Sequence, residues 1–107
     1  MRTHAQIDQR SLALAREIVA LVDADPARKG LLRARETCAR WYRDNPAPAI
    51  KEWLQLLEGD WRTVRGVLLD ESEDGVRLRQ SNPFCGVLSS QARWSIYRRF
   101  SHEPKAA

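Results

Sequence analysis

Apolar residues recur at three- and four-residue steps along most of this chain, separated by short runs of proline, glycine and acidic residues. From Ile7 the stripe passes through Ser11, Leu14, Ile18, Leu21 and Val22, widened by Leu12, Ala15 and Val19. That spacing predicts a helix of about four to five turns with one buried face. Asp25-Pro26 offers an N-cap followed by a proline at the first helical position, so a second helix is expected to run to about Arg43. Its inward stripe would be Ala27, Leu31, Ala34, Cys38 and Trp41, with Gly30 weakening the first turn. Asn45-Pro46-Ala47-Pro48 breaks the chain. A third helix is expected from Pro48 to about Glu58, with Ile50, Trp53, Leu54 and Leu57 inward and Gly59 as its C′ residue. Asp60 would cap a fourth helix, Trp61 to about Asp70, and Ser72 a short fifth, about Glu73 to Gln80.

The tract Leu78–Phe100, LRQSNPFCGVLSSQARWSIYRRF, is the most informative stretch. Pro83 stops the helix at Asn82, Gly86 offers backbone freedom for a tight loop, and a last helix opens at Ser89 or Ser90. The loop carries Phe84, Val87 and Leu88, which need burial in the chain's own core or in a partner. The last helix places Trp94, Tyr97 and Phe100 on one side, with Ile96 beside Phe100. No β-type alternation of useful length and no internal repeat occurs, so the expected fold is all-α: one domain over 1–107, a small bundle of five or six helices. Residues 1–6 and 102–107 are expected to be mobile.

Length agrees with a single core, since 107 residues leave no room for a second. Charge is distributed unevenly. Residues 1–44 carry nine Lys and Arg against six Asp and Glu, residues 45–88 five against seven, and residues 89–107 four against one, summing to the net +4. Two basic ends thus flank an acidic middle. On helix two, Lys29, Arg33, Arg40 and Arg43 form a candidate nucleic-acid stripe, which could equally be a solvated face.

Enzyme chemistry finds little support. His4 and His102 lack a second ligand at metal spacing, and Cys38 and Cys85 lack CxxC spacing, so no metal and no cofactor is expected. Cys85 with His102 is the one nucleophile–base pair to name, and a cysteine between Phe84 and Gly86 reads better as packing. Gly59 sits where the turn glycine of a helix-turn-helix would. Gln55 and Arg65 then occupy positions that pattern reserves for small and aliphatic residues, which argues against it. No apolar run reaches the roughly 18 residues of a membrane span and no secretory h-region opens the chain, so a cytoplasmic protein is expected.

The 78–100 tract resembles the C-terminal segment of a family of short bacterial proteins in which Leu-Arg-Gln leads into a Ser-x-Pro-Phe-x-Gly-x-Leu loop and a closing Arg-Trp-x-Ile helix. Ala-Ile-Lys-Glu-Trp-Leu (49–54) and Leu-Ala-Arg-Glu-Ile (14–18) fit the same layout. The pattern covers about a quarter of the chain. The association is with antitoxins and small regulators of two-gene toxin–antitoxin modules. The resemblance implies a non-enzymatic protein that neutralises a cognate toxin by direct binding, with operator DNA as a second partner. On this reading Pro83, Phe84, Gly86, Val87 and Leu88 fill an apolar pocket of the toxin. Arg79, Arg93, Arg98 and Arg99, with Trp94 and Tyr97, complete the contact. The alternative is a nucleic-acid-binding regulator that uses the basic face of helix two.

Overall fold

The computed structural model describes residues 4–101 and contains six helices: α1 (His4–Asp23), α2 (Lys29–Asp44), α3 (Pro48–Leu57), α4 (Trp61–Leu68), α5 (Glu73–Arg79) and α6 (Ser90–Ser101). Among the described residues there is no strand. The protein is an all-α bundle, with dimensions of 49 × 30 × 25 Å. α1 begins inside the stretch 1–6 expected to be mobile; residues 1–3 and 102–107 lie outside the described residues.

α1 is the central element and packs against α2, α4, α5 and α6, while α2 lies along α3. Its buried band is Leu12, Ala15, Ile18, Val19 and Val22. Ile7 and Leu21, expected inside, are 42% and 48% exposed. Neighbours on several sides draw the band onto the residues read as its margin.

Local signals explain most boundaries. Pro48 occupies the first turn of α3, Asp60 accepts the Thr63 N–H at 2.9 Å, and Ser72 accepts the Gly75 N–H at 3.5 Å. α2 departs from expectation. The Asp25 carboxylate accepts the Ala27 and Lys29 N–H groups at 3.0 and 2.9 Å, and the helix starts only at Lys29. Between them Arg28 adopts φ 52°, ψ 43°, the left-handed region, at a cost of about 1–2 kcal/mol. Its guanidinium offsets that cost by donating to the Val22, Asp23 and Asp25 carbonyls at 2.6, 3.0 and 3.2 Å. Neither Gly59 nor Gly86 has a positive φ, so the left-handed cap expected at Gly59 is absent and Gly86 does not turn its loop by that route.

Arg28 belongs to a pattern. Helix C-termini leave carbonyls without intrahelical donors and carry partial negative charge. Arg35, from α2, donates to the Leu57 and Gly59 carbonyls at the end of α3, at 2.6 and 3.3 Å. Arg79, from α5, donates to the Leu68 carbonyl at 3.2 Å and to that of Asp70 beyond the end of α4. Three helix ends are thus closed by arginines from elsewhere in the chain. Gly75 is needed beside the last of them, because a Cβ there would strike the Asp70 carbonyl oxygen.

The centre of the core is aromatic. Phe84, from the α5–α6 loop, is fully buried between Trp53 and Trp61, with ring centroids 6.4 and 6.1 Å away and interplanar angles of 68° and 58°. Each indole N–H is satisfied: Trp53 donates to the Leu78 carbonyl at 2.8 Å and Trp61 to the Asp23 carboxylate at 2.7 Å. The loop is shaped to deliver the ring inward. The Asn82 side chain accepts the Phe84 N–H at 2.8 Å, and the Phe84 carbonyl accepts the Val87 N–H at 3.0 Å. Pro83 and Leu88 are buried with Phe84. These three residues, expected to fill a partner's pocket, are therefore core residues. Arg79, also assigned to the contact, is 5% exposed and holds the end of α4.

Candidate functional site

With Pro83, Phe84 and Leu88 inside, most of the exposed surface of the 78–100 tract is made by α6. Ala92, Ile96 and Phe100, one turn apart, form its packed stripe and continue from Leu88. That register turns Trp94 outward. The indole is 62% exposed, the largest such value among the exposed bulky apolar residues. It meets Tyr97 edge to face, centroids 6.2 Å apart at 80°. Arg10, from α1, places its guanidinium carbon 5.2 Å from the centre of the same tyrosine ring. The aromatic side expected of Trp94, Tyr97 and Phe100 is therefore divided, with Phe100 packed on the core and Trp94 in solvent.

Arginines surround this pair. Arg93 is half-buried and donates to the Cys85 carbonyl and the Ser90 hydroxyl, each at 3.4 Å. Arg98 is exposed and donates from Nε to the Trp94 carbonyl at 3.5 Å, whereas Arg99, also exposed, points to another side of the helix. α6 contains no acidic residue. Between α6 and α1 lies a groove of about 310 Å³, with Leu14, Ile18 and Leu88 among its apolar lining and Arg10, Arg93 and Tyr97 among its polar lining. Sequence reasoning did not single out Arg10. Its relation to Tyr97 depends on how α1 and α6 cross, which no local spacing records.

The basic residues of α2 divide differently. Lys29, Arg33, Arg40 and Arg43 are all exposed. Arg33 and Arg40 face a recess of about 250 Å³ shared with Glu36, Thr37, Trp41 and the loop residues Cys85 and Gly86. Gly86 lies close to Arg33, since a Cβ on it would be 3.4 Å from Nε. Lys29 lines a neighbouring hollow with Gly30, Arg33 and Val87, while Arg43 lines neither. Val87 is half-buried over Gly30, where a Cβ would come within 2.7 Å of Val22 and 3.3 Å of Val87.

Among the described residues no group of three or more His, Cys, Asp or Glu side chains is placed to hold a metal ion, and no helix is long and apolar enough to cross a membrane. Cys38 is buried, which pushes its thiol pKa up, and Cys85 is exposed. The perturbed carboxylates are all lowered by hydrogen bonds that hold the fold: Asp23 by Trp61 and Arg65, Asp25 by the Lys29 and Ala27 amides, Glu52 by Arg77, Asp60 by Thr63, and Asp70 by Ser72. None of them lines the α1–α6 groove. Comparison of the chain with protein-family models, with curated proteins and with solved structures finds no match in any of the three.

Proposed function

We propose that this chain is a non-enzymatic, cytoplasmic interaction module that docks a partner protein through the outer face of α6 and the adjoining turns of α1. The observation that supports it best is Trp94, held in solvent against Tyr97 within a field of arginines. Burying an exposed indole releases water from a large apolar surface, and arginine around it discriminates in favour of carboxylates. Tryptophan and arginine are the residues that most often dominate the energy of protein interfaces. A partner that fits offers an apolar pocket for the indole, rimmed by acidic residues for Arg10 and Arg93. Because the 78–100 tract resembles that of antitoxins, we assign the partner to a cognate toxin, neutralised by direct contact. On this proposal Phe84 and Leu88 act as the base on which α6 rests, not as contact residues.

The test is co-expression with the product of the adjacent gene, followed by growth and co-purification. The expected result is restored growth and a stable complex, with both lost on Trp94→Ala. A toxic neighbour that is neither bound nor neutralised removes the antitoxin assignment. A complex indifferent to Trp94→Ala removes the α6 face.

A further inference from the structure

The recess between α2 and the loop adjoins the α1–α6 groove at Cys85 but shares no arginine with it. Its helical side presents Arg33, Glu36, Thr37, Arg40 and Trp41, the i, i+3, i+4, i+7, i+8 positions of one helix surface. The loop contributes Cys85 and Gly86. Among the described residues neither Arg33 nor Arg40 has a carboxylate within 4.0 Å, so neither guanidinium beside the recess is held in an ion pair. Their situation contrasts with that of Arg28, Arg35 and Arg79, which are committed to helix-end carbonyls, and of Arg65 and Arg77, which are paired with acids. Lys29 extends the line of positive charge one turn further along the helix.

We infer that this recess is a binding site for single-stranded nucleic acid, taking one base between Trp41 and the Cys85–Gly86 loop and adjacent phosphates on Arg33, Arg40 and Lys29. Uncommitted arginines are suited to phosphate oxygens, and a half-buried indole supplies a stacking surface usable by any base. Glu36 is the one carboxylate in the recess, and Thr37 adds a hydroxyl. A carboxylate repels phosphate but accepts hydrogen bonds from base amino groups, so it orients the base inward and the backbone outward. Volume limits the occupant. At about 250 Å³ the recess falls below the roughly 300–1,000 Å³ typical of drug-sized sites, which suits a single ring. A notch between a helix and a loop is also the wrong shape for a duplex, whose major groove needs a protruding helix.

Fluorescence anisotropy with a labelled single-stranded dodecamer of mixed sequence, as DNA and as RNA, tests this against the same sequence as a duplex. The expected result is tighter binding of the single strand, weakened about tenfold or more by Arg33→Gln with Arg40→Gln. That pair is expected to reduce the slope of log K against log salt by about 1.4, two phosphates at roughly 0.7 each. Trp41→Leu is expected to weaken binding about fivefold or more with the salt slope unchanged. Arg33→Lys with Arg40→Lys keeps the charges and is expected to restore most of the salt slope. Trp94→Ala, which tests the toxin contact, leaves nucleic-acid binding intact. The inference is overturned by an absence of binding at low salt, by duplex binding as tight as the single strand, or by binding that survives the paired glutamine substitutions in a chain of unchanged helix content.

Discussion

The loop Asn82–Leu88 and helix α6 are neighbours in sequence, and each brings bulky apolar residues close to arginine, yet one is core and the other surface. Phe84 has no polar atom to satisfy and two indoles to meet, so full burial costs it nothing in hydrogen bonding. Trp94 lies off the Leu88–Ala92–Ile96–Phe100 stripe, where inward rotation would expel Ile96. Helical register, not hydrophobicity, decides which aromatic residue is left in solvent. The same division holds for the arginines. Arg28, Arg35 and Arg79 meet helix-end carbonyls and Arg65 and Arg77 meet acids, whereas Arg33 and Arg40 on α2 are exposed and outside any ion pair among the described residues.

Changing Phe84 probes the buried half of this contrast most strongly. Phe84→Ala is expected to cost about 3–5 kcal/mol, through lost burial and a cavity between Trp53 and Trp61. Phe84→Asp adds an unpaired buried carboxylate and is expected to leave the isolated chain unfolded. Circular dichroism during urea unfolding measures both. A well-folded Phe84→Asp chain would mean that the ring is dispensable to the core.

Next in size is Arg79. Replacing it with Met keeps much of its apolar stem but leaves the Leu68 and Asp70 carbonyls without their donor. The expected loss is about 2–4 kcal/mol, the scale of a buried charged hydrogen-bonding group removed from its partners. Nε of Arg79 is itself buried without a partner, which keeps the expectation at the lower end of that range. If partner binding falls while stability holds, Arg79 is a contact residue after all. Trp94→Ala is the mirror experiment. It is expected to change stability by less than about 0.5 kcal/mol, as for a surface residue, while removing the complex with the proposed partner.

Much of this arrangement is legible in the chain. All six helices follow from apolar spacing, and the prolines and caps at Pro48, Asp60 and Ser72 act where they stand. The start of α2 was not readable, because Asp25 closes a local turn and the helix waits for the left-handed Arg28. Whether the loop faced inward was equally hidden. Its apolar residues demanded burial, but the place was set by Trp53 and Trp61, which precede Phe84 by 31 and 23 positions in the sequence. Basic residues are the hardest to read. Arg35 and Arg33 are two positions apart on one helix, and only tertiary packing sends the first to the Leu57 carbonyl and leaves the second at the recess.

The smallest expected effect is electrostatic, and it separates the two regions by pH. The carboxylates with lowered pKa values anchor the end of α1, the turn into α2 and the segments from α3 to α5, and α6 has none. Asp23 is held below its ordinary value of 3.8 chiefly by the Trp61 N–H and then by Arg65. A folded pKa below the unfolded one means that this stabilisation is fully present above about pH 4 and is lost as pH falls through the lowered value. Asp23→Asn keeps an oxygen for Trp61 and removes the charge, so it is expected to lower stability slightly at neutral pH and to flatten the acid side of the stability curve. Unfolding followed from pH 7 to pH 2 measures this. Binding of the proposed partner through α6, an element without an acidic residue, is followed over the same range and is expected to carry no transition that coincides with that of Asp23. A fall in binding that tracks the Asp23 transition would mean that the α6 surface depends on the core's acid-sensitive anchor and is not a separate face.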